Sequence, residues 1–241
     1  MRPPYEKLIY DIYHHGHQIG SRHGPCREVL GSGVYFKAGE MVTRKGMNDA
    51  LGFMELMQIV AGVFDPDEII RVAPKAQAEL FTAQMAYGPR ITDQIPRLID
   101  KLESDPETRQ AVLFIAKPED GPTENQPCTT TMQFLIRDGR LYAITSMRSW
   151  DAVKGLTYDV MFQGGLVLLL ARVLGQLPGS IVCTAGSLHL YDSDLKRSPS
   201  DKVRYFDLGE PVPYTWGAIQ TWAQQQVYLM DKIPFGIEVR S

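Results

Sequence analysis

Residues 157–176 (TYDVMFQGGLVLLLARVLGQ) constrain this chain more than any other stretch. They are apolar almost all round at helical spacing, so the helix they predict must be covered on every side. The most apolar part, Val160 to Leu174, is interrupted by Gln163, Gly164, Gly165 and Arg172. It falls short of the roughly 20 apolar residues needed to cross a bilayer. The expectation is therefore a buried central helix wrapped by the rest of the chain. With 241 residues, 44% of them hydrophobic, there is enough material for such a core. No internal repeat or linker-like segment divides the sequence, which predicts one α+β domain over residues 1–241.

The wrapping elements follow from periodicity and punctuation. Residues 4–15 predict a helix with Leu8, Ile9 and Ile12 on one face, and 16–25 a loop rich in Gly, His and Arg. Residues 27–37 read as strand segments around Gly31 and Gly33. Gly46 or Asn48 opens a helix running to Ala61, which Gly62 closes. Residues 65–86 predict short helices with turns. Thr92 is placed as the N-cap of a helix with Pro96 in its first turn and Asp105-Pro106 at its end. Strands are predicted at 110–116, 130–137 and 140–147, the last two joined by the hairpin signal Asp138-Gly139. Pro178-Gly179 turns the chain into a strand over 180–185 and on to Tyr191. Residues 192–203 read as a polar loop, and the last forty residues carry no clear pattern.

Charge narrows the function. Twenty-five basic against 28 acidic residues give a net charge of −3, with no polyelectrolyte footprint for nucleic acid. A small anion held by a few arginines fits. Cys26, Cys128 and Cys183 make neither a disulfide framework nor a zinc spacing. His14, His15, His17 and His23 lack acidic or cysteine partners at ligand spacing, so no metal is expected. Gly31-Ser32-Gly33 lacks the Gly-Lys-Ser/Thr that would complete a phosphate loop. Met1 to Tyr10 lacks the apolar run of a signal peptide, which predicts a cytoplasmic protein without a membrane role.

The informative segment runs from Gln126 to Asp159. In order it holds Pro127-Cys128, Gln133-Phe134, Asp138-Gly139, Arg148-Ser149-Trp150-Asp151 and Gly155-Leu156-Thr157-Tyr158-Asp159. Upstream stand Ser21-Arg22-His23-Gly24, Phe53-Met54-Glu55-Leu56, Tyr87 in Met-Ala-Tyr-Gly, and Asp105-Pro106-Glu107-Thr108-Arg109. Downstream stands Gly186-Ser187-Leu188-His189-Leu190-Tyr191. This ordered set, over roughly residues 20–195, resembles the thymidylate synthase family. The resemblance implies an α+β fold with a mixed β-sheet packed by helices, dimerising through the sheet.

The resemblance also implies roles. Cys128 is the nucleophile that adds to C6 of a pyrimidine, with nearby arginines favouring its thiolate. Arg22, Arg109, Arg148 and Ser149 hold a 5′-phosphate, Arg109 coming from the partner in a homodimer with shared sites. His189 and Tyr191 contact the sugar. Tyr87 lies near the nucleophile. Asp151, Gly155 and Tyr158 line the pocket for 5,10-methylenetetrahydrofolate, the cosubstrate, and Glu55 positions or activates water. Taken alone, Cys128 also reads as a small buried hydrophobe, and His189 with Tyr191 as a structural pair. Gln110 departs from the family, standing where a second arginine is usual. The carboxyl end (FGIEVRS) does not resemble the family's folate-closing tail.

Asp159 discriminates among substrates. Thymidylate synthases carry Asn at this position, matched to the N3–H donor and O4 acceptor of uracil. Cytosine reverses that edge, and the family's cytidylate hydroxymethylases carry Asp. Asp159 also reads as an ordinary first-turn residue of a helix. The stretch Ile69 to Glu79 lacks the family's tryptophans, and Thr129 replaces the histidine common after the nucleophile. Both departures point towards water, rather than hydride, completing the reaction. The expected activity is C5-hydroxymethylation of dCMP or CMP. Thymidylate synthesis from dUMP and a catalytically silent nucleotide-binding protein are the alternatives.

Overall fold

The computed structural model describes residues 5–74, 82, 86–121, 123, 125–195, 199–229 and 232–241. The first half runs α1 (Tyr5–His15), β1 (His17–Ile19), β2 (Cys26–Lys37), β3 (Glu40–Arg44), α2 (Asp49–Ala61), α3 (Pro66–Val72), α4 (Gly88–Ile91), α5 (Ile95–Ser104) and β4 (Val112–Phe114). The second half runs β5 (Thr129–Arg137), β6 (Arg140–Asp151), α6 (Gly155–Val173), β7 (Leu177–Tyr191), β8 (Pro199–Leu208), α7 (Trp216–Leu229) and β9 (Ile237–Arg240). The main sheet has the order β1-β2-β7-β6-β5-β4, antiparallel throughout except for the parallel β6–β7 pair. It is therefore a mixed sheet packed by helices, as expected. A second, antiparallel sheet has the order β3-β8-β9.

Helix α6 is the buried centre. The residues that seemed to interrupt it are what let it pack. A Cβ on Gly165 would lie 2.3 Å from Cδ2 of Leu56 on α2, and one on Gly164 would lie 3.0 Å from the backbone nitrogen of Gly39. Bare backbone thus admits a helix on one side and the β2–β3 turn on the other. Gln163 is fully buried but satisfied: the Cys183 thiol donates to its Oε1 at 2.7 Å and its Nε2 faces Met147 Sδ at 3.9 Å. By length and composition α6 does reach what a membrane crossing needs, contrary to the sequence estimate. However, 78% of its most apolar window is buried inside the fold.

Helix α2, which carries Glu55, is fixed at both ends as predicted. The Asn48 side chain accepts from the N–H of Ala50, and Gly62 closes the helix at φ 73°. The Asp138-Gly139 hairpin has φ of 49° and 69°, the paired left-handed conformation that suits a two-residue turn.

Other expectations are corrected. Residues 17–19, placed in a loop, pair with β2. Thr92 does not cap α5, which begins at Ile95. Thr92 instead ends α4, and its hydroxyl accepts from Gln220 Nε2 at 2.9 Å. Pro178-Gly179 lies inside β7, and the turn sits at Gly175, with φ 64°. The polar stretch 192–203 is not all loop: β8 starts at Pro199 and becomes the middle strand of the small sheet. Part of the predicted helix-and-turn region, 75–81 and 83–85, lies outside the described residues, and so does much of the tryptophan-free stretch 69–79.

Candidate active site

Cys128 sits at the mouth of β5 and is held from several directions. Its carbonyl accepts from the Arg148 backbone N–H at 2.9 Å. The Arg148 side chain spans back to the same loop, with Nε donating to the Pro127 carbonyl at 3.0 Å and Nη2 to that of Gln126 at 2.7 Å. On the other side the Tyr87 hydroxyl accepts from the Thr129 N–H at 3.2 Å. The β5–β6 register shifts between Thr129 and Thr131. Such an irregularity re-aims the strand end that carries the cysteine.

A cavity opens beside it, walled by Glu55 and Ile59 of α2, by Tyr87, and by Tyr158, Asp159 and Phe162 of α6. The Tyr87 and Phe162 rings stand 5.3 Å apart. Tyr158 is pinned through its hydroxyl, which accepts from the Asn48 N–H at 3.3 Å. Asp159 occupies the second turn of α6. Its Oδ2 accepts from Nε1 of Trp150 at 2.9 Å, and Gly155, one turn back, leaves room for that oxygen: a Cβ there would stand 3.3 Å away.

The acids of the cavity wall (Glu55, Asp159 and Tyr87) and Cys128, which lies outside that wall, are all pushed towards their protonated forms. Burial, then the neighbouring Asp159, raises Glu55 to about 8. Burial raises Asp159 to about 7, opposed by the Trp150 N–H and assisted by Asp151. Burial, then Asp159, also lifts the Tyr87 hydroxyl well above its ordinary range. The Cys128 thiol moves up for the same reasons, burial first and Asp159 second, with Arg148 pulling the other way. The expectation that arginine would favour the thiolate is right in sign. It is outweighed, because removing a thiolate from water costs more than one partly exposed guanidinium returns.

The remaining predicted residues fall into two groups. His189 and Tyr191 lie together at the end of β7, rings edge to face at 5.0 Å. His189 stands opposite both Glu28 of β2 and Asp151 of β6, and burial lowers its pKa. Ser149 faces Ser187 across the same strand pair. Asp151 is largely structural here, since its Oδ1 accepts from the N–H groups of Val153 and Lys154, both at 2.8 Å. It turns the chain into α6 and, like Gly155, is not part of the cavity wall, whereas Tyr158 is. Two arginines stand apart within one chain. Arg22 donates to Asn125 Oδ1 at 3.4 Å. Arg109 is exposed, and its carbonyl accepts from Gln133 Nε2 at 2.7 Å, well along β5 from Cys128.

The cavity suits a flat, partly apolar group. Ile59, Val63, Phe64 and Phe162 supply the apolar surface, and Glu55 and Asp159 supply polar atoms at one end. Among the described residues no three His, Cys, Asp or Glu side chains converge as metal ligands. Trp150 stands in the Arg148-Ser149-Trp150-Asp151 motif with no role assigned to it from the sequence. A buried tryptophan N–H can only donate and usually finds an acceptor, and Trp150 is 1% exposed. That is the signal that could have linked it to Asp159.

Comparison with known proteins gives the family and the fold. Residues 74–204, more than half of the chain, match the family model described as thymidylate synthase. Cys128, Arg148, Asp159 and His189 fall inside that span, while Arg22 and Glu55 precede it. The crystal structure of thymidylate synthase from T4 phage superposes with a TM-score of 0.74 at 21% identity, covering 98% of this chain and 94% of that one.

Proposed function

Since this chain belongs to the thymidylate synthase family of folate-dependent one-carbon transferases, we propose that it hydroxymethylates C5 of a cytosine nucleoside 5′-monophosphate. The observation that carries the reading is Asp159, a carboxyl group in the cavity wall poised near neutrality, at the position to which the motif resemblance assigns the family's uracil-reading Asn. Between them, Asp159 and N3 of cytosine need to hold one proton. With it, one carboxyl oxygen shares that proton with N3 and the other accepts from N4–H₂. A carboxylate facing uracil O4 would set two acceptors against each other, a buried mismatch of about 1–3 kcal/mol.

In this reading Cys128 Sγ bonds to C6 and makes C5 nucleophilic. 5,10-Methylenetetrahydrofolate, held by Tyr158, Ile59, Val63, Phe64 and Phe162, supplies when bound a one-carbon unit at the oxidation level of formaldehyde. Glu55, protonated at neutral pH before the substrates bind, has the pKa of a group that can take a proton from water and return it. C5 would bond to that carbon, and loss of the C5 proton with cleavage of the carbon–nitrogen bond would release tetrahydrofolate; water would then add to the exocyclic carbon as the Cys128 thiolate leaves C6. Arg148, Ser149 and Arg22 hold the phosphate, with Arg109 reaching the site of a partner chain. His189 and Tyr191 meet the sugar. The exposed face of the main sheet supports a homodimer: Tyr35, Val182 and Ile144 form a cross-strand apolar row on β2, β7 and β6, each more than a third exposed.

The test is product mass after incubation with 5,10-methylenetetrahydrofolate and dCMP, CMP, dUMP or UMP in parallel. A hydroxymethyl gain on a cytosine nucleotide is expected. A methyl gain on dUMP overturns the proposal.

A further inference from the structure

Trp150 is buried in β6, its indole packed edge to face on Phe36 at 6.1 Å between ring centres. Its Nε1 can only donate, and it donates to Oδ2 of Asp159 at 2.9 Å. That single bond makes the two oxygens of Asp159 unequal. Oδ2 is held as an acceptor, so a proton on this carboxyl group belongs on Oδ1. Without such a donor, a carboxylic acid can carry its proton on either oxygen. It could then present a donor–acceptor pair in either order, matching cytosine one way and uracil the other.

We propose that Trp150 is the positioning residue that sets the order of donor and acceptor on Asp159, and thereby makes one pyrimidine edge fit and the other clash. This rests on the reading that Asp159 faces the base. For cytosine, Oδ1 shares the single proton with N3, and Oδ2 accepts from N4–H₂ on its second lone pair. No bond is made or broken by Trp150. Its role is to keep Oδ2 aprotic through the reaction.

The same geometry has a sharper consequence. An Asn at this position would be turned by Trp150 so that its carbonyl oxygen faces the indole and its amide nitrogen takes the place of Oδ1. That amide still offers a donor to N3 and an acceptor to N4–H₂. Asn alone is therefore insufficient to recognise uracil here. It must also be free to flip.

The experiment measures dissociation constants of dCMP and dUMP, by equilibrium dialysis without folate, for the wild type and for Trp150→Phe, Asp159→Asn and the double variant. Phe keeps the ring and removes the donor. Expected for Trp150→Phe is a loss of about tenfold in the dCMP-to-dUMP preference, equivalent to roughly 1.4 kcal/mol. Asp159→Asn keeps its preference for dCMP, and the double variant shifts towards dUMP. The pH at which dCMP binding changes moves upward in Trp150→Phe, because the indole holds Asp159 down. The other titratable groups bearing on it, Asp151 of β6, Glu55 of α2, Cys183 of β7, Tyr87 and Cys128, are untouched. An unaltered preference and pH midpoint in Trp150→Phe overturn the proposal, as does a switch to dUMP in Asp159→Asn alone. The single Asn variant retains Trp150, so it decides the matter even if the Phe variant folds poorly. A wild type that itself prefers dUMP refutes the cytosine reading but not the lock, which then still appears as a change of preference on losing the indole.

Discussion

Replacing Glu55 by Gln should make the protein more stable, and increasingly so as pH rises. Glu55 sits on α2 in the cavity wall and is raised from an ordinary 4.5 to about 8 by burial and by Asp159. In the unfolded chain it ionises near its ordinary value. The folded protein must therefore keep a proton that the unfolded chain has lost, or bury a charge. Between those two values the unfolded state binds fewer protons, so stability falls with each unit of pH by up to about 1.4 kcal/mol. Integrated from pH 5 to pH 8, the penalty from this one group is about 3–4 kcal/mol. Gln has the same shape and no charge, so Glu55→Gln escapes the penalty.

The assay is urea denaturation of both proteins at intervals from pH 5 to pH 8. The difference between them is the quantity of interest, since Asp159 and the remaining groups titrate in both. The gap should be small at pH 5 and widen steadily in favour of Gln. A gap that stays constant across the range refutes the argument, because it would place the glutamate in contact with water. Turnover should be lost in the same variant, so that one side chain lowers stability and supports chemistry.

Two other outcomes follow from the same geometry. Alkylation of Cys128 should be slow at pH 7, with a midpoint above the ordinary thiol range. Arg148→Ala should raise that midpoint further, and mass mapping should show Cys26 and Cys183, both buried, unmodified under native conditions; a thiol already half ionised at pH 7 would contradict the burial argument. Val182→Asp, in the middle of the exposed apolar row, should yield a folded monomer by sedimentation and remove activity by separating Arg109 from its partner's site; an active monomer would refute the shared-site arrangement.

Local rules were legible in the sequence where one residue does one job. Asn48 and Gly62 bound α2, and Asp138-Gly139 makes the hairpin, because capping and left-handed turns admit few residue types. The central helix was legible from its apolar circumference. Gly164 and Gly165 were misread as interruptions, since a close approach by Leu56 or Gly39 has no signature along the chain. Strand β8 was hidden because it opens on Pro199 and the polar run Ser200-Asp201-Lys202, and a proline can begin a strand without a ladder donor. At the site, residue types were legible through the motif resemblance. Their couplings were not. Trp150 meets Asp159 only because β6 packs on α6, and Tyr87 meets the Thr129 N–H only because the residue before α4 comes against the start of β5.

The proton inventory of the cavity ties these observations together. Cys128, Glu55, Asp159 and Tyr87 are all acids, and burial pushes every one of them up. A site that collected so many carboxyl and thiol groups in ionised form would repel itself. By staying protonated, or nearly so, it folds at neutral pH with little buried charge. In the proposed function the negative charge arrives with the nucleotide, as a phosphate for the arginines rather than for the cavity. In the proposed reaction these same groups move the protons: Glu55 takes one from water and returns it, Asp159 shares one with the base, and the Cys128 thiol gives one up as its sulfur bonds to carbon. Trp150 is the exception that gives this set its direction. It is a neutral donor whose N–H cannot be lost, so it marks which oxygen of Asp159 stays an acceptor while the protons around it move.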